Sequence, residues 1–291
     1  MQHVGIGMVG TGFAASFHAD AARRVVGIQA EVVAVTSGRY ENAERFAAAH
    51  HVPRTYRHYE EMLADDGVDV IDLCVPTNMH LPMALKAVEA GKHVIVEKPL
   101  TGYTAAAGHA PDELIGNTVP RRQMLEHTLA EMQQFEDALS AVGVKFMYAE
   151  NWVYAPAVAK ARELIAAGGG TVMRIQAEES HSGSHASYAS HWALAGGGSL
   201  LRTGSHPMGG ALHIKQFEGT HRQGQPIRPV SVVGEVASLT KMASFLREEP
   251  KYLGHNLVDC EDWGAALVLS CVLYPYVYLT ARVVFIMQGR N

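Results

Sequence analysis

The sequence predicts an α/β fold: a parallel, doubly wound sheet in the first half, then an α+β domain with an open, mostly antiparallel sheet. Three observations predict it. Short apolar runs alternate with helix-like segments over the first hundred residues, the pattern of a parallel sheet with crossover helices. A glycine turn, Gly10-x-Gly12-x-x-Ala15, joins the first strand to the first helix. After Tyr154 the pattern changes to long β-rich segments with few helices between them, which favours antiparallel pairing.

In the first part, strands are expected at 3–9, 31–36, 68–75 and 92–97, and helices at 13–25, 40–50, 59–65 and 79–90. Residues 101–123 carry Gly102, Gly108, Pro111, Gly116 and Pro120, and read as an irregular surface excursion. A helix at 124–142 leads to a last strand, Lys145 to Ala149. Domain boundaries follow: a first domain over 1–150 and a second over 151–291. In the second, a helix at 156–167 ends on Gly168-Gly169-Gly170. Strands are expected at 171–179, 229–239, 263–272 and 276–286, with one helix at 199–214.

The first strand, His3 to Val9, running into the glycine turn and a helix is the arrangement a pyrophosphate needs. Gly10 permits the tight turn, Gly12 lets backbone approach phosphate, and Ala15 lets helix and strand pack closely. Thr11 and Phe13 complete the candidate contacts. The helix start offers free N–H groups and the positive end of its dipole. The residue that reads the ribose belongs at the end of the second strand, about 20 residues on. An acidic residue there would select NAD. This chain reads Thr36-Ser37-Gly38-Arg39. Ser37 and Arg39 suit a 2′-phosphate, so NADP is favoured over NAD. Arg39 as a solvated residue at a helix start is the competing reading, and Glu41 keeps NAD open.

Composition excludes several classes. The chain has 291 residues, 48% hydrophobic and 18% charged, enough for a sizeable core. Its formal charge of −5 with no basic block excludes a general nucleic-acid binder. Cys74, Cys260 and Cys271 form no ligand-spaced cluster and read as reduced thiols of a cytoplasmic protein. No signal peptide is expected. Ala265 to Ala281 carries no charge, but Pro275 and its Val, Tyr and Leu content favour two buried strands over a membrane span.

Ligands of such folds sit beyond the carboxyl ends of the strands. Pro76, Thr77, Asn78 and His80, after the strand at 68–75, are therefore candidate cofactor contacts. Another strand closes in Glu97-Lys98-Pro99. Pro99 holds Lys98 extended, so Lys98 can point at a substrate oxygen. Glu97 can hold a ribose or orient the lysine; a surface ion pair is the plain alternative.

The glycine turn, Val75-Pro76-Thr77-Asn78 and Gly91-Lys92-His93-Val94-x-x-Glu97-Lys98-Pro99 together resemble the glucose–fructose oxidoreductase / inositol dehydrogenase / MocA family. The resemblance runs over 4–100 and resumes at 145–170 and 196–214. It implies a Rossmann domain followed by an α/β domain with an open antiparallel sheet. It also implies hydride transfer between NAD(P) and a sugar, cyclitol or related polyol without a metal. Lys98 matches the family's catalytic lysine and His206 its general acid or base. Where many members carry an aspartate four residues before that histidine, this chain has Arg202. An arginine there would disfavour the imidazolium and could bind an anionic group; pairing with Glu178 or Glu179 is the alternative.

His181 and His185 have metal-like spacing only on a helix. Ser182, Gly183 and Ser184 between them favour a polar substrate loop and no metal. Trp152, Tyr154 and Trp192 are candidates to stack on a sugar ring, with core packing as the alternative, preferred for Trp152. The carboxyl end departs from the family: no polar turn interrupts Ser270 to Tyr276, and the last domain reads as truncated. An exposed sheet edge and self-association through that sheet are expected. The reading is thus an NAD(P)-dependent oxidoreductase of small carbohydrate-like molecules, without nucleic-acid or membrane partners. A non-catalytic nucleotide-binding regulator of the same fold is the competitor.

Overall fold

The computed structural model describes residues 2–181, 183–184, 186–246, 257–270 and 277–283. In chain order the first elements are β1 (His3–Val9), α1 (Phe13–Ala22), β2 (Gln29–Thr36), α2 (Tyr40–His50), β3 (Arg54–Tyr56), α3 (Tyr59–Leu63), β4 (Val70–Leu73), α4 (Thr77–Glu89) and β5 (His93–Val96). Then come α5 (Ile115–Thr118), α6 (Arg121–Val142), β6 (Phe146–Tyr148), α7 (Pro156–Gly168), β7 (Arg174–Ala177), α8 (Trp192–Ala195), α9 (Ser199–Arg202), α10 (Ser205–Gln223), β8 (Pro229–Ala237), α11 (Ala243–Leu246), β9 (Trp263–Ser270) and β10 (Val277–Val283). The chain forms two compact units. One comprises Met1–Thr101 and Pro120–Ala149, the other Gly102–Val119 and Glu150–Asn291.

The first unit is a six-stranded sheet in the order β3-β2-β1-β4-β5-β6, every pair parallel. Alternation along the strands sends successive side chains to opposite faces. Val9, Ala34, Ile71 and Val94 join α3, α4 and α6 in one core, through Met62, Leu81, Ala84, Val88 and Phe135. Met8 and Val35 join α1 and α2 in the other, through Ala15, Ala19, Ala43 and Phe46. α2 shows the helical counterpart of this rule. Ala43, Phe46 and Ala47, spaced to share one face, are its buried residues. It stops where His51 turns left-handed and bonds back to Ala47. The strand order reverses between β1 and β4, and the crevice at such a switch point is where these sheets take ligands.

β3 escaped the sequence reading because it is three edge residues without apolar alternation. α6 starts at Arg121, directly after Pro120, three residues earlier than expected. The segment 102–119 corrects a larger expectation. It is no surface excursion: Tyr103, Thr104 and Ile115 are buried, and Gly116 N donates to Asp259 Oδ2 at 2.9 Å within the second unit. Helix breakers marked it as irregular, but a carboxylate far along the chain satisfies its backbone.

The second unit carries a four-stranded sheet, β7-β10-β9-β8. β10 pairs antiparallel with β9 and parallel with β7, and β8 pairs antiparallel with β9. β9 alternates strictly, burying Gly264, Ala266, Val268 and Ser270. Val268 meets Ala211 of α10. The uncharged run 265–281 thus supplies two strands; the 271–276 connection and Cys271 lie outside the described residues. The expected helix 199–214 is broken at Thr203–Gly204 into α9 and α10. Three acidic residues within four positions hold this unit's loops. Asp259 accepts from Trp192 N, Glu261 from Gly198 N and Leu200 N, and Asp262 from Leu239 N and Thr240 N. β8 is an edge strand exposing Val230, Val232 and Val233, each more than 60% accessible. No helix among the described residues is long and apolar enough to cross a membrane.

Candidate functional site

In the first unit, the glycine turn lies at the carboxyl end of β1, beside the end of β4. Gly10 has φ +100°, and a Cβ there would sit 2.2 Å from the Cys74 carbonyl oxygen. Both facts require glycine. Gly12 has open space around it and is the N-cap of α1, whose first turn carries no acidic residue. Ala15 is fully buried between α1 and the sheet. Thr11 Oγ1 and Ser37 Oγ lie 3.2 Å apart, joining the glycine turn to the end of β2. Phe13 is almost wholly exposed and stacks on Phe17. Arg39 is exposed, at the N-cap of α2, and its side chain makes no hydrogen bond or ion pair among the described residues.

Pro76 is the N-cap of α4, and Thr77 and Asn78 form its first turn. Asn78 Oδ1 is buried without a hydrogen-bond partner among the described residues. A buried orphan acceptor beside an open glycine turn and a helix N-terminus fits a dinucleotide with polar edges. His80 plays a different part from the expected one. It is 1% exposed, its Nδ1 and Nε2 each 2.8 Å from a carbonyl oxygen, of Pro99 and Val75. Burial pushes its pKa down despite those acceptors. It ties the 75–77 turn to the Pro99 loop rather than offering a group to a ligand.

Glu97 and Lys98 follow β5. Glu97 Oε2 accepts from the Lys98 backbone N at 2.8 Å, and Oε1 accepts from His18 Nε2 at 3.1 Å. His18, on α1, donates from Nδ1 to Asp72 at 3.0 Å. Cys74 Sγ lies 3.5 Å from the same nitrogen. So Glu97 orients the lysine segment and links it to the helix of the glycine turn. Burial alone would lower the His18 pKa, but hydrogen bonds to Asp72, Cys74 and Glu97 and the Asp72 charge raise it to about 12. Burial pushes the Cys74 thiol up to about 12, so it stays protonated. His18, Asp72 and Cys74 have metal-like spacing, yet the imidazolium already occupies the cation's place. The sequence reading missed this network. Its one signal was Asp72, a carboxylate inside an apolar strand.

The signs of these shifts give a prediction. A raised His18 pKa stabilises the fold fully below its unfolded value of 6.5, and the contribution is lost as pH climbs towards about 12. Glu97, with its pKa lowered from 4.5 by His18 and the Lys98 backbone against the opposing effect of burial, contributes above 4.5 and loses this as pH falls through its folded value. The stability lost on His18→Gln is therefore expected to be largest near pH 6 and to shrink at pH 8 and again at pH 9.5. Urea unfolding of both proteins at the three values measures it; a pH-independent difference would mean His18 is held neutral.

In the second unit, His206 lies in the first turn of α10. Its Nδ1 donates to Glu150 Oε1 at 2.6 Å. Trp152 stacks on the ring, centroids 5.5 Å apart and planes 13° apart. Core packing, preferred for Trp152 from sequence, is thus corrected: it is partly exposed against His206, and Trp192 is the buried tryptophan. Tyr154 is exposed. Arg202 lies over the Tyr188 ring at 5.5 Å. His181 is exposed in a loop; its Nδ1 accepts from Gly183 N at 3.0 Å, and its Nε2 faces Thr203 Oγ1 at 3.4 Å. His185 lies outside the described residues. Glu150 was missed from sequence, although it stands two residues after β6, the last strand of the parallel sheet.

A parallel sheet of this strand order, with a glycine turn at its switch point and a fitting helix terminus, defines a dinucleotide-binding α/β protein with a second, sheet-bearing unit. Residues 4–113 match the model of the Gfo/Idh/MocA oxidoreductase family, NAD-binding Rossmann fold, so the first unit is similar to that family. It is 36% identical over 102 residues to 4-carboxy-2-hydroxymuconate-6-semialdehyde dehydrogenase of Sphingobium sp., covering 35% of this chain and 32% of that protein. It is 28% identical over 229 residues to trans-1,2-dihydrobenzene-1,2-diol dehydrogenase of Bos taurus, covering 78% of this chain and 58% of that one. The chain therefore spans about one third to three fifths of these relatives' lengths. GenD2 from gentamicin A biosynthesis, solved with NAD, shares the fold with a TM-score of 0.71 and 22% identity, over 100% of this chain and 68% of that one.

Proposed function

We propose that this protein is an NAD(P)-dependent oxidoreductase that interconverts a hydroxyl and a carbonyl on a sugar, sugar acid, cyclitol or related diol. The observation that carries the reading is the Glu97–Lys98 segment, anchored through His18 to the glycine-turn helix of an NAD-binding family domain. A bound dinucleotide supplies the hydride acceptor at nicotinamide C4. Gly10, Thr11, Gly12 and the α1 terminus would hold its pyrophosphate, and Asn78 would take a polar edge. His206 Nε2, the ring nitrogen opposite the Nδ1 that donates to Glu150, would accept a substrate hydroxyl proton. Lys98 carries the charge that would stabilise alkoxide character on a reacting oxygen. Trp152 and Tyr154 offer faces to a ring, and Arg202 suits an acidic substituent, so sugar acids belong in the screen. The diol named for the bovine relative falls in the same chemical class.

The exposed Arg39 and the absence of a carboxylate at the end of β2 favour NADP. Parallel fluorescence titrations with NADPH and NADH test this. NADPH is expected to bind more tightly, and Arg39→Ala to weaken it about tenfold, roughly 1.4 kcal/mol, while leaving NADH unchanged. Preference for NADH would overturn the role of Ser37 and Arg39; binding of neither by folded protein would overturn the oxidoreductase reading. The exposed valines of β8 support self-association through this sheet, read as mass by light scattering. A cytoplasmic location fits a protein working on soluble cofactors.

A further inference from the structure

We propose that Glu150 is the carboxylate that positions His206, taking over a task that a carboxylate at position 202 cannot perform in this chain. The inference rests on His206 being the proton acceptor of the proposed reaction. Arg202 stands one helical turn before His206, in the separate helix α9, over the Tyr188 ring. Glu150 arrives from elsewhere, as the N-cap of the short 3-10 turn Asn151–Tyr154.

Three contacts fix the arrangement. The His206–Glu150 bond, at 2.6 Å, has the length of a charge-assisted hydrogen bond, and Glu150 is 3% exposed. Glu150 Oε1 also accepts from Trp152 N at 3.1 Å, so the turn that presents the carboxylate presents the indole that stacks on the imidazole. Edge and face of the ring are held by one local motif. The seat for the carboxylate is cut into α10: a Cβ at Gly209 would lie 2.8 Å from Glu150 Cγ. Glu150 Oε2 is buried without a partner among the described residues, so the carboxylate is held chiefly through the oxygen that faces His206. An acceptor on Nδ1 places the ring hydrogen there and leaves Nε2 as the base, the role a histidine-orienting carboxylate plays in proton-transfer catalysis.

The test reads the ring and the reaction separately. The Nδ1 hydrogen of a histidine donating to a carboxylate gives a strongly downfield proton resonance, assigned here by its loss in His206→Gln. In the full-length protein it is expected to be present, to move upfield in the isosteric Glu150→Gln, to vanish in Glu150→Ala and to persist in Glu150→Asp. With a turned-over substrate, kcat is expected to fall about 10²–10⁴-fold in Glu150→Gln, with KM little changed and partial recovery in Glu150→Asp. A resonance untouched by Glu150→Gln, or a kcat equal to wild type, would overturn the proposal. If the resonance responds as expected but wild-type protein oxidises and reduces nothing, Glu150 still positions the ring and the oxidoreductase reading is what fails.

Discussion

Lys98→Met is expected to lower kcat about 10²–10³-fold, roughly 3–4 kcal/mol of transition-state stabilisation, while the dinucleotide still binds. Methionine keeps the length and the apolar stem but removes the ammonium. The segment itself should hold, because Glu97 grips the backbone N of residue 98 and not its side chain. Pro99 is buried, and its carbonyl oxygen meets His80. Steady-state rates with the best substrate of the NADPH screen, beside a cofactor titration of the variant, decide the matter. An unchanged kcat removes Lys98 from the reacting oxygen. Loss of cofactor binding would instead place its charge on the dinucleotide. A nucleotide-binding regulator would bind cofactor in both proteins and turn over nothing in either.

The second large effect concerns stability. Lys215 and Glu218 on α10 are 0% and 1% exposed and pair at 2.5 Å. Lys215 Nζ also donates to Val172 O at 3.0 Å, and Glu218 Oε1 accepts from Val172 N at 2.9 Å. Both charges thus satisfy the backbone that leads into β7, tying it to α10. Lys215→Met would leave a buried carboxylate with only Arg222 Nε, 3.8 Å away, as counter-charge. A loss of about 3–5 kcal/mol in the second unit is expected, and a smaller loss when Glu218→Leu is added, because desolvating two charges offsets most of their attraction. Urea unfolding of the single and double variants measures both. A double variant less stable than the single would show that the bonds to Val172 outweigh the uncompensated charge. The pair lies on the same helix as His206, about two and a half to three turns further on, so this is also a test of what keeps α10 rigid.

The parallel sheet was legible because its signals are local. Alternation in Met8–Val9 and Ala34–Val35 sorts side chains to two faces, and α2 fell on its expected residues, 40–50. The glycine turn was legible because only glycine fits a φ of +100° against the Cys74 carbonyl. Failures came where distant groups decide. Residues 102–119 look irregular in sequence, yet Asp259, more than a hundred residues away, satisfies Gly116. The break at Thr203–Gly204 was missed although Gly204 weakens a helix, because the sequence shows neither the Glu261 bonds that start α9 nor the seat at Gly209.

By itself, then, the sequence determined the parallel sheet and the glycine turn, because periodicity and glycine act over a few residues, and it offered Lys98 from a strand-ending Glu-Lys-Pro and His206 from a family resemblance as candidates only. Only the tertiary structure decided what surrounds those two side chains. His18 and Asp72 stand 54 positions apart, and Glu150 and His206 stand 56. Nothing local marks either pair, because hydrogen bonds between groups brought together by folding depend on where whole elements pack and not on the residues beside them.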